Sequence, residues 1–250
     1  VMKVHGTTSR GYRSGTGFSG AGATMTFTTT ANFNPGEQVW VSVTNAQSTG
    51  GTPTRPFVMG FRAAAGAGPA TFFPSSYVAV GTNPNTIASG DFNGDGNIDF
   101  AVANFGSNNI SVMLNTGTGT FAPAIMYASG TATYDLDVGD MDNDGDLDIV
   151  CGNQGANTVS VLLNTGAGTF SAAVPYPAAG SPQGVVLADF DADGDLDIAY
   201  SRASASGFGI MLNNGAGTFG GVTAYSVGSN PNHLVVGDID NDGDIDIVTS

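Results

Sequence analysis

The sequence predicts an all-β fold dominated by one four-stranded antiparallel unit, and three observations carry that prediction. Of the 21 acidic residues, twenty are Asp and one is Glu37, and Asp is a poor helix former that favours turns and metal loops. One acidic pattern recurs four times at a constant spacing of 49 residues, which means copies of a single supersecondary unit. No segment offers ten residues of helical periodicity, whereas short β-branched and apolar alternations between Gly, Asn and Asp turns are frequent.

The chain of 250 residues is long enough for one large or two ordinary domains. Its charge is divided unevenly. Residues 1–72 hold Lys3, Arg10, Arg13, Arg55 and Arg62 against Glu37, a net of +4, while residues 73–250 hold Arg202 against twenty Asp, a net of −19. Such a negative field excludes nucleic acid as a partner of the second part. No apolar run approaches the roughly 18 residues of a spanning helix, so no membrane insertion is expected, and the opening residues do not read as a signal peptide. Cys151 is the single cysteine and His5 and His233 are the two histidines. They leave no intrachain disulfide and little material for a zinc site or a Cys/His pair.

In chain order, residues 1–63 carry no copy of the repeat. They read as strands at Thr24 to Thr28, Gln38 to Thr44 and Phe57 to Phe61, with the turn Asn34-Pro-Gly-Glu37 between the first two and with Phe27, Trp40 and Phe61 as core. Residues 64–71 read as a linker and 72–250 as repeats, opening on a lone strand from Phe73 to Val80. The third copy shows the unit plainly: strands near Gly184 to Ala188, Leu196 to Ser201, Phe208 to Leu212 and Val222 to Val227. Four-stranded meanders repeated every ~50 residues are the signature of β-propeller blades.

Successive connections in a meander alternate between the two ends of the sheet. The acidic loops (first to second strand) and the Gly-rich turns at Asn115 to Phe121, Asn164 to Phe170 and Asn213 to Phe219 therefore share one face. The opposite face carries loops that differ from copy to copy, so partner recognition is expected there.

The acidic loops run Asp91, Asn93, Asp95, Asn97, Asp99; Asp140, Asp142, Asp144, Asp146, Asp148; Asp189, Asp191, Asp193, Asp195, Asp197; and Asp238, Asp240, Asp242, Asp244, Asp246. Side chains at positions 1, 3 and 5 place oxygens inside a tight loop, Gly at 6 permits the turn, position 7 offers its carbonyl and Asp at 9 closes the cage. This suits a hard cation that takes six to eight oxygens, calcium before magnesium. Without a cation the clustered carboxylates repel one another. About four calcium ions, one per loop, would bring the second part from −19 to −11. An EF-hand is excluded because position 12 is Val102, Cys151, Tyr200 or Thr249, not Glu.

The stretch from Asp91 to Asn104, with the trailing Val-Met-Leu-Asn-Thr-Gly-Thr-Gly-Thr-Phe, resembles FG-GAP/VCBS repeats, the units of integrin α-chain-like propellers. The resemblance covers about residues 70–250. It implies calcium in each loop, weakest in the first copy with Asn93 and Asn97, and an extracellular adhesion or binding role with ligands opposite the calcium loops. Thr26 to Thr44 resembles bacterial Ig-like domains of surface-layer type. That implies a β-sandwich, N-terminally partial, ahead of the propeller blades.

Both domains read as incomplete, so the chain is expected to be part of a longer surface protein or to be completed by another chain through strand addition, which would allow self-association. The leading expectation is a non-catalytic, secreted, bacterial cell-surface module that binds a surface protein. A glycan held by Phe105, Tyr134 or His233 is the alternative. Catalysis is not expected: only Asp135 and Asp137 lie outside the loops, flanking a strand without a partner acid, and neither histidine has a nucleophile at identifiable spacing.

Overall fold

The computed structural model describes residues 78–250 throughout and, before them, the backbone of five strands. The chain divides into two compact units, Val1–Phe73 and Pro74–Ser250. In the first, β1 (Met2–Gly6), β4 (Gln38–Val43) and β5 (Phe57–Arg62) form a sheet in the order β1-β4-β5, and β2 (Gly15–Ser19) pairs β3 (Thr26–Thr29). Three of these strands were legible from alternation. β1 and β2 were not, although β1 lies antiparallel to β4 with Val4 opposite Val41. The expected core roles of Phe27, Trp40 and Phe61 and the turn at 34–37 lie outside the described residues.

The second unit is all β apart from one 3-10 turn, Ala203–Ala205, among the described residues. β6 (Pro84–Gly90), β7 (Asp99–Asn104), β8 (Asn109–Met113) and β9 (Ile125–Ala128) make the first sheet, in that order. β10 (Thr133–Gly139), β11 (Asp148–Asn153), β12 (Thr158–Leu162) and β13 (Val174–Pro177) make the second. β14 (Pro182–Ala188), β15 (Asp197–Arg202), β16 (Gly207–Asn213) and β17 (Phe219–Ser226) make the third, and β18 (Leu234–Gly237) pairs β19 (Asp246–Thr249). Every pairing is antiparallel between neighbours in sequence, as in propeller blades. The strand expected from Phe73 to Val80 falls mostly outside the described residues, and 78–80 are not in a strand.

The sheets stack face to face. In β11 every residue is buried, because alternate side chains enter two different cores. Ile149 and Cys151 join Leu136 and Leu162 against Ala101, Ala103, Ile110 and Val112 of the first sheet. Val150 joins Val159 and Val161 against Val185, Ile198, Tyr200 and Met211 of the third. This is why the second strand of each copy reads as a near-continuous apolar run: a strand covered on both faces has no polar side. Burying each large aliphatic side chain contributes roughly 1.5–3 kcal/mol. Phe92 and Phe170 close the first core edge to face, with ring centroids 5.6 Å apart.

First strands of successive sheets also lie side by side. Asn85 Nδ2 donates to Tyr134 O at 2.7 Å, and the N–H groups of Val185 and Leu187 donate to Asp135 Oδ2 (3.1 Å) and Asp137 Oδ2 (3.0 Å). The two Asp residues expected to flank a strand are therefore inside β10, where they bind the free edge of β14. The N–H groups that β14 turns away from β15 are donors that need acceptors.

Candidate metal centre

The acidic loops leave the first strand of each sheet and return as the second, so all four emerge at one end of the sheets. The Gly-rich turns emerge there too. Each loop folds around its own carboxylates. In the third copy, Asp189 accepts from the N–H groups of Asp193 (3.1 Å) and Gly194 (3.0 Å), and Asp193 accepts from Asp195 N–H (2.9 Å). The same bonds recur in the first and fourth loops, for example Gly96 N–H to Asp91 at 2.9 Å and Gly243 N–H to Asp238 at 3.2 Å. The position-9 Asp is the deepest. Asp99, Asp148 and Asp197 are fully buried, and each is held by the N–H of position 2 and by the N–H of the Asn that opens the Gly-rich turn.

Carboxylate oxygens of positions 1, 3 and 9 converge. Asp140, Asp142 and Asp148; Asp189, Asp191 and Asp197; and Asp238, Asp240 and Asp246 each form a group whose oxygens lie within 4.8 Å of one another. In the first copy the corresponding residues are Asp91, Asn93 and Asp99. Asp95, Asp144, Asp193 and Asp242 at position 5 are not in these groups; their Oδ1 atoms accept from the N–H of position 7 at 2.8–2.9 Å. Position 7 turns its side chain elsewhere. Asn97, Asp146 and Asp195 lie against Gly117, Gly166 and Gly215 of their own Gly-rich turns, and Asp195 Oδ1 accepts from Asn143 Nδ2 of the preceding copy at 2.9 Å. Gly215 is required there: its φ is +79°, and a Cβ would sit 2.5 Å from Asp195 Oδ2. In the first three copies the position-7 side chains thus lie beside the Gly-rich turns, leaving their carbonyls as the groups to offer.

The electrostatics of the second loop are those of carboxylates deprived of water and crowded together. Burial first, then the charges of Asp142 and Asp140, push Asp148 up to about 7 against the pull of the Asn164 and Met141 N–H groups. Burial and the charges of Asp144 and Asp142 bring Asp140 to about 6. Asp99, Asp189 and Asp197 are raised for the same leading reason, burial, while Asp95 is lowered by the Asn97 N–H. Asp140 Oδ1 is buried without a hydrogen-bond partner. A buried lone acceptor costs about 1–3 kcal/mol, and an all-oxygen donor set around it suits a hard divalent cation. The residues present fit such an ion.

Two features of the site escaped the sequence reading. Asn164 and Asn213, nearly buried, each bridge two loops. Asn164 Nδ2 donates to Phe92 O (2.8 Å) in the preceding copy and Leu147 O (3.1 Å) in its own. Asn213 Nδ2 does the same with Met141 O (2.8 Å) and Leu196 O (2.9 Å). Their 49-residue register was visible as a column, but their partners were not. The second feature is position 4, left-handed in all four loops: Gly94 (φ 68°), Asn143 (62°), Ala192 (61°) and Asn241 (62°). The recurrence of Gly and Asn at this position was its signal.

Of the candidate recognition aromatics on the other face, Phe105 packs edge to face with Tyr134 at 6.1 Å, and His233 is exposed. Cys151 is fully buried, and burial pushes its thiol up to about 12.

The sequence model of the FG-GAP-like repeat family matches residues 91–151, 140–200 and 201–249. No curated protein matches the chain. Among solved structures, one of an Agrocybe aegerita lectin, described as recognising non-reducing terminal N-acetylglucosamine, is 24% identical with a TM-score of 0.47. The match covers 64% of this chain and 45% of that one. A Photorhabdus luminescens Tc holotoxin pore structure is 17% identical with a TM-score of 0.34, over 85% of this chain and 12% of that one. The chain spans less than half the length of either.

Proposed function

The chain belongs to the FG-GAP-like repeat family, and from that premise we propose that it is a non-catalytic, calcium-stabilised module of an extracellular bacterial surface protein, with integrin-like propeller repeats behind an Ig-like domain. The observation that carries the reading is the convergence of positions 1, 3 and 9 in three loops, with a lone buried acceptor, Asp140 Oδ1, in one of them. Calcium would be held by these carboxylates, by Asp91, Asn93 and Asp99 in the first loop, and by position-7 carbonyls. Its chemistry is charge neutralisation and cross-bracing of a loop, with no reacting bond. No helix among the described residues is long and apolar enough to cross a membrane. With a Kd on the order of 10⁻⁴ M and about 2 mM calcium, each site contributes about 1.8 kcal/mol. Four sites together rival the stability of a whole domain. Thermal melts with calcium and with excess EDTA, paired with isothermal calcium titration of the parent and of Asp148→Asn, test this. A large drop in Tm on chelation and loss of one site in the variant are expected; an unchanged melt and no heat of binding would end the proposal.

Partner binding belongs to the face opposite the loops, where the copies differ, and a protein ligand on that face is the primary reading. Glycan binding is the second, favoured by the part-exposed Phe105 beside Tyr134. A glycan array with Phe105→Ala as control separates them.

A further inference from the structure

The outermost strand of each complete sheet is an edge, and the three edges are not alike. β9 has four residues and follows Pro123; β13 has four, two of them Pro175 and Pro177. Both are short or lack donors, which is how edges are kept from pairing. β17 has eight residues and no proline.

The direction of its free groups follows from register. Val227 N–H donates to Ser206 O at 3.1 Å, so 206 and 227 form a hydrogen-bonded pair. Phe208 with Tyr225 and Ile210 with Thr223 fall on the same alternation. Backbone groups of Thr223 and Tyr225 therefore point to β16, and those of Val222, Ala224 and Ser226 point away from the sheet. Such a row selects an extended strand as its partner.

We propose that this partner is a second copy of the chain, its β17 lying antiparallel to the first about a two-fold axis at Ala224. In that register Ala224 faces its own counterpart, Val222 faces Ser226 of the second copy and Thr223 faces Tyr225. The three outward residues of each strand supply six interchain backbone hydrogen bonds, and the smallest side chain of the set occupies the axis. Electrostatics permit it: no Asp, Glu, Lys, Arg or His occurs between residues 203 and 232, although residues 73–250 carry a net of −19. The pairing is isologous and closes as a dimer. Its area is below that of a standard interface, so the dimer is weak, with a dissociation constant on the order of 100 µM.

Sedimentation of the full chain in calcium, from about 10 µM to 1 mM around that constant, should show reversible dimerisation. Ala224→Pro removes only an outward donor, so its melt should match the parent while its association weakens at least tenfold. Ala224→Lys sets like charges opposite each other and should do the same if the proline variant misfolds. Paired Cα atoms at the axis stand about 5.5 Å apart, within disulfide reach. Ala224→Cys should therefore cross-link on mild oxidation, and Val222→Cys, about 14 Å from its counterpart in this register, should not. Buried Cys151 does not interfere. A chain monomeric throughout, a folded Ala224→Pro that associates as the parent does, or equal cross-linking of both cysteine variants would each overturn the proposal.

Discussion

Removing the amide that ties one sheet to the next should cost more in the second and third copies than in the first. Asn164 and Asn213 each spend one Nδ2 hydrogen on a carbonyl of the preceding loop and the other on their own loop. Among the described residues, Asn115 in the first copy makes only the bond to its own loop, to Ile98 O at 3.1 Å. Truncation to Ala loses net bonds worth about 1 kcal/mol each and leaves buried carbonyls whose desolvation costs about 1–3 kcal/mol. Asn164→Ala and Asn213→Ala should therefore destabilise by about 2–4 kcal/mol and Asn115→Ala by about 1–2. Urea unfolding of the three variants and the parent in saturating calcium gives the comparison, with the slope checked for constancy so that the midpoints report stability. Equal losses for Asn115→Ala and Asn164→Ala would refute the reasoning, because the contact between sheets would then be worth nothing measurable.

Burial raises Asp137 to about 6, so the folded state binds its proton more tightly than the unfolded chain; the resulting stability is present below about pH 4 and is lost as pH rises through 6. In saturating calcium, Asp137→Asn should flatten this part of the stability-pH curve and gain about 1–2 kcal/mol at pH 7.5, a fraction of the ~3 expected from two pK units; parallel curves for parent and variant would exclude the effect. Ala192 holds φ of 61° in the third loop where the first copy has Gly94. Ala192→Gly should raise stability by about 0.5–1 kcal/mol in a thermal melt, and a loss would show that the loop is not strained there. Cys151 should react with a thiol reagent only as fast as the protein unfolds, since the thiolate is the nucleophile and this thiol is buried with its titration near 12. Rapid labelling of the native chain would place it at a surface.

The amino-acid order alone determined the class and the repeat. Asp without Glu, a 49-residue register and Gly at position 6 of each loop act through local backbone preference and strand alternation, and these need no knowledge of distant residues. The four-stranded unit, the shared end for acidic loops and Gly-rich turns, and the convergence of Asp140 with Asp148 followed from that. Strand ends moved by a few residues, as with Leu196 against an observed start at Asp197, because ladder pairing and not propensity sets the last bond. Tertiary packing decided what lies between copies: which carbonyl Asn213 reaches 72 residues away, why Asp135 and Asp137 sit inside a strand, and why Ile149 and Val150 enter different cores. The edge of β17 belongs with these. Proline's absence is written in the chain, but which N–H groups point outward is fixed only when the neighbouring strand takes the others.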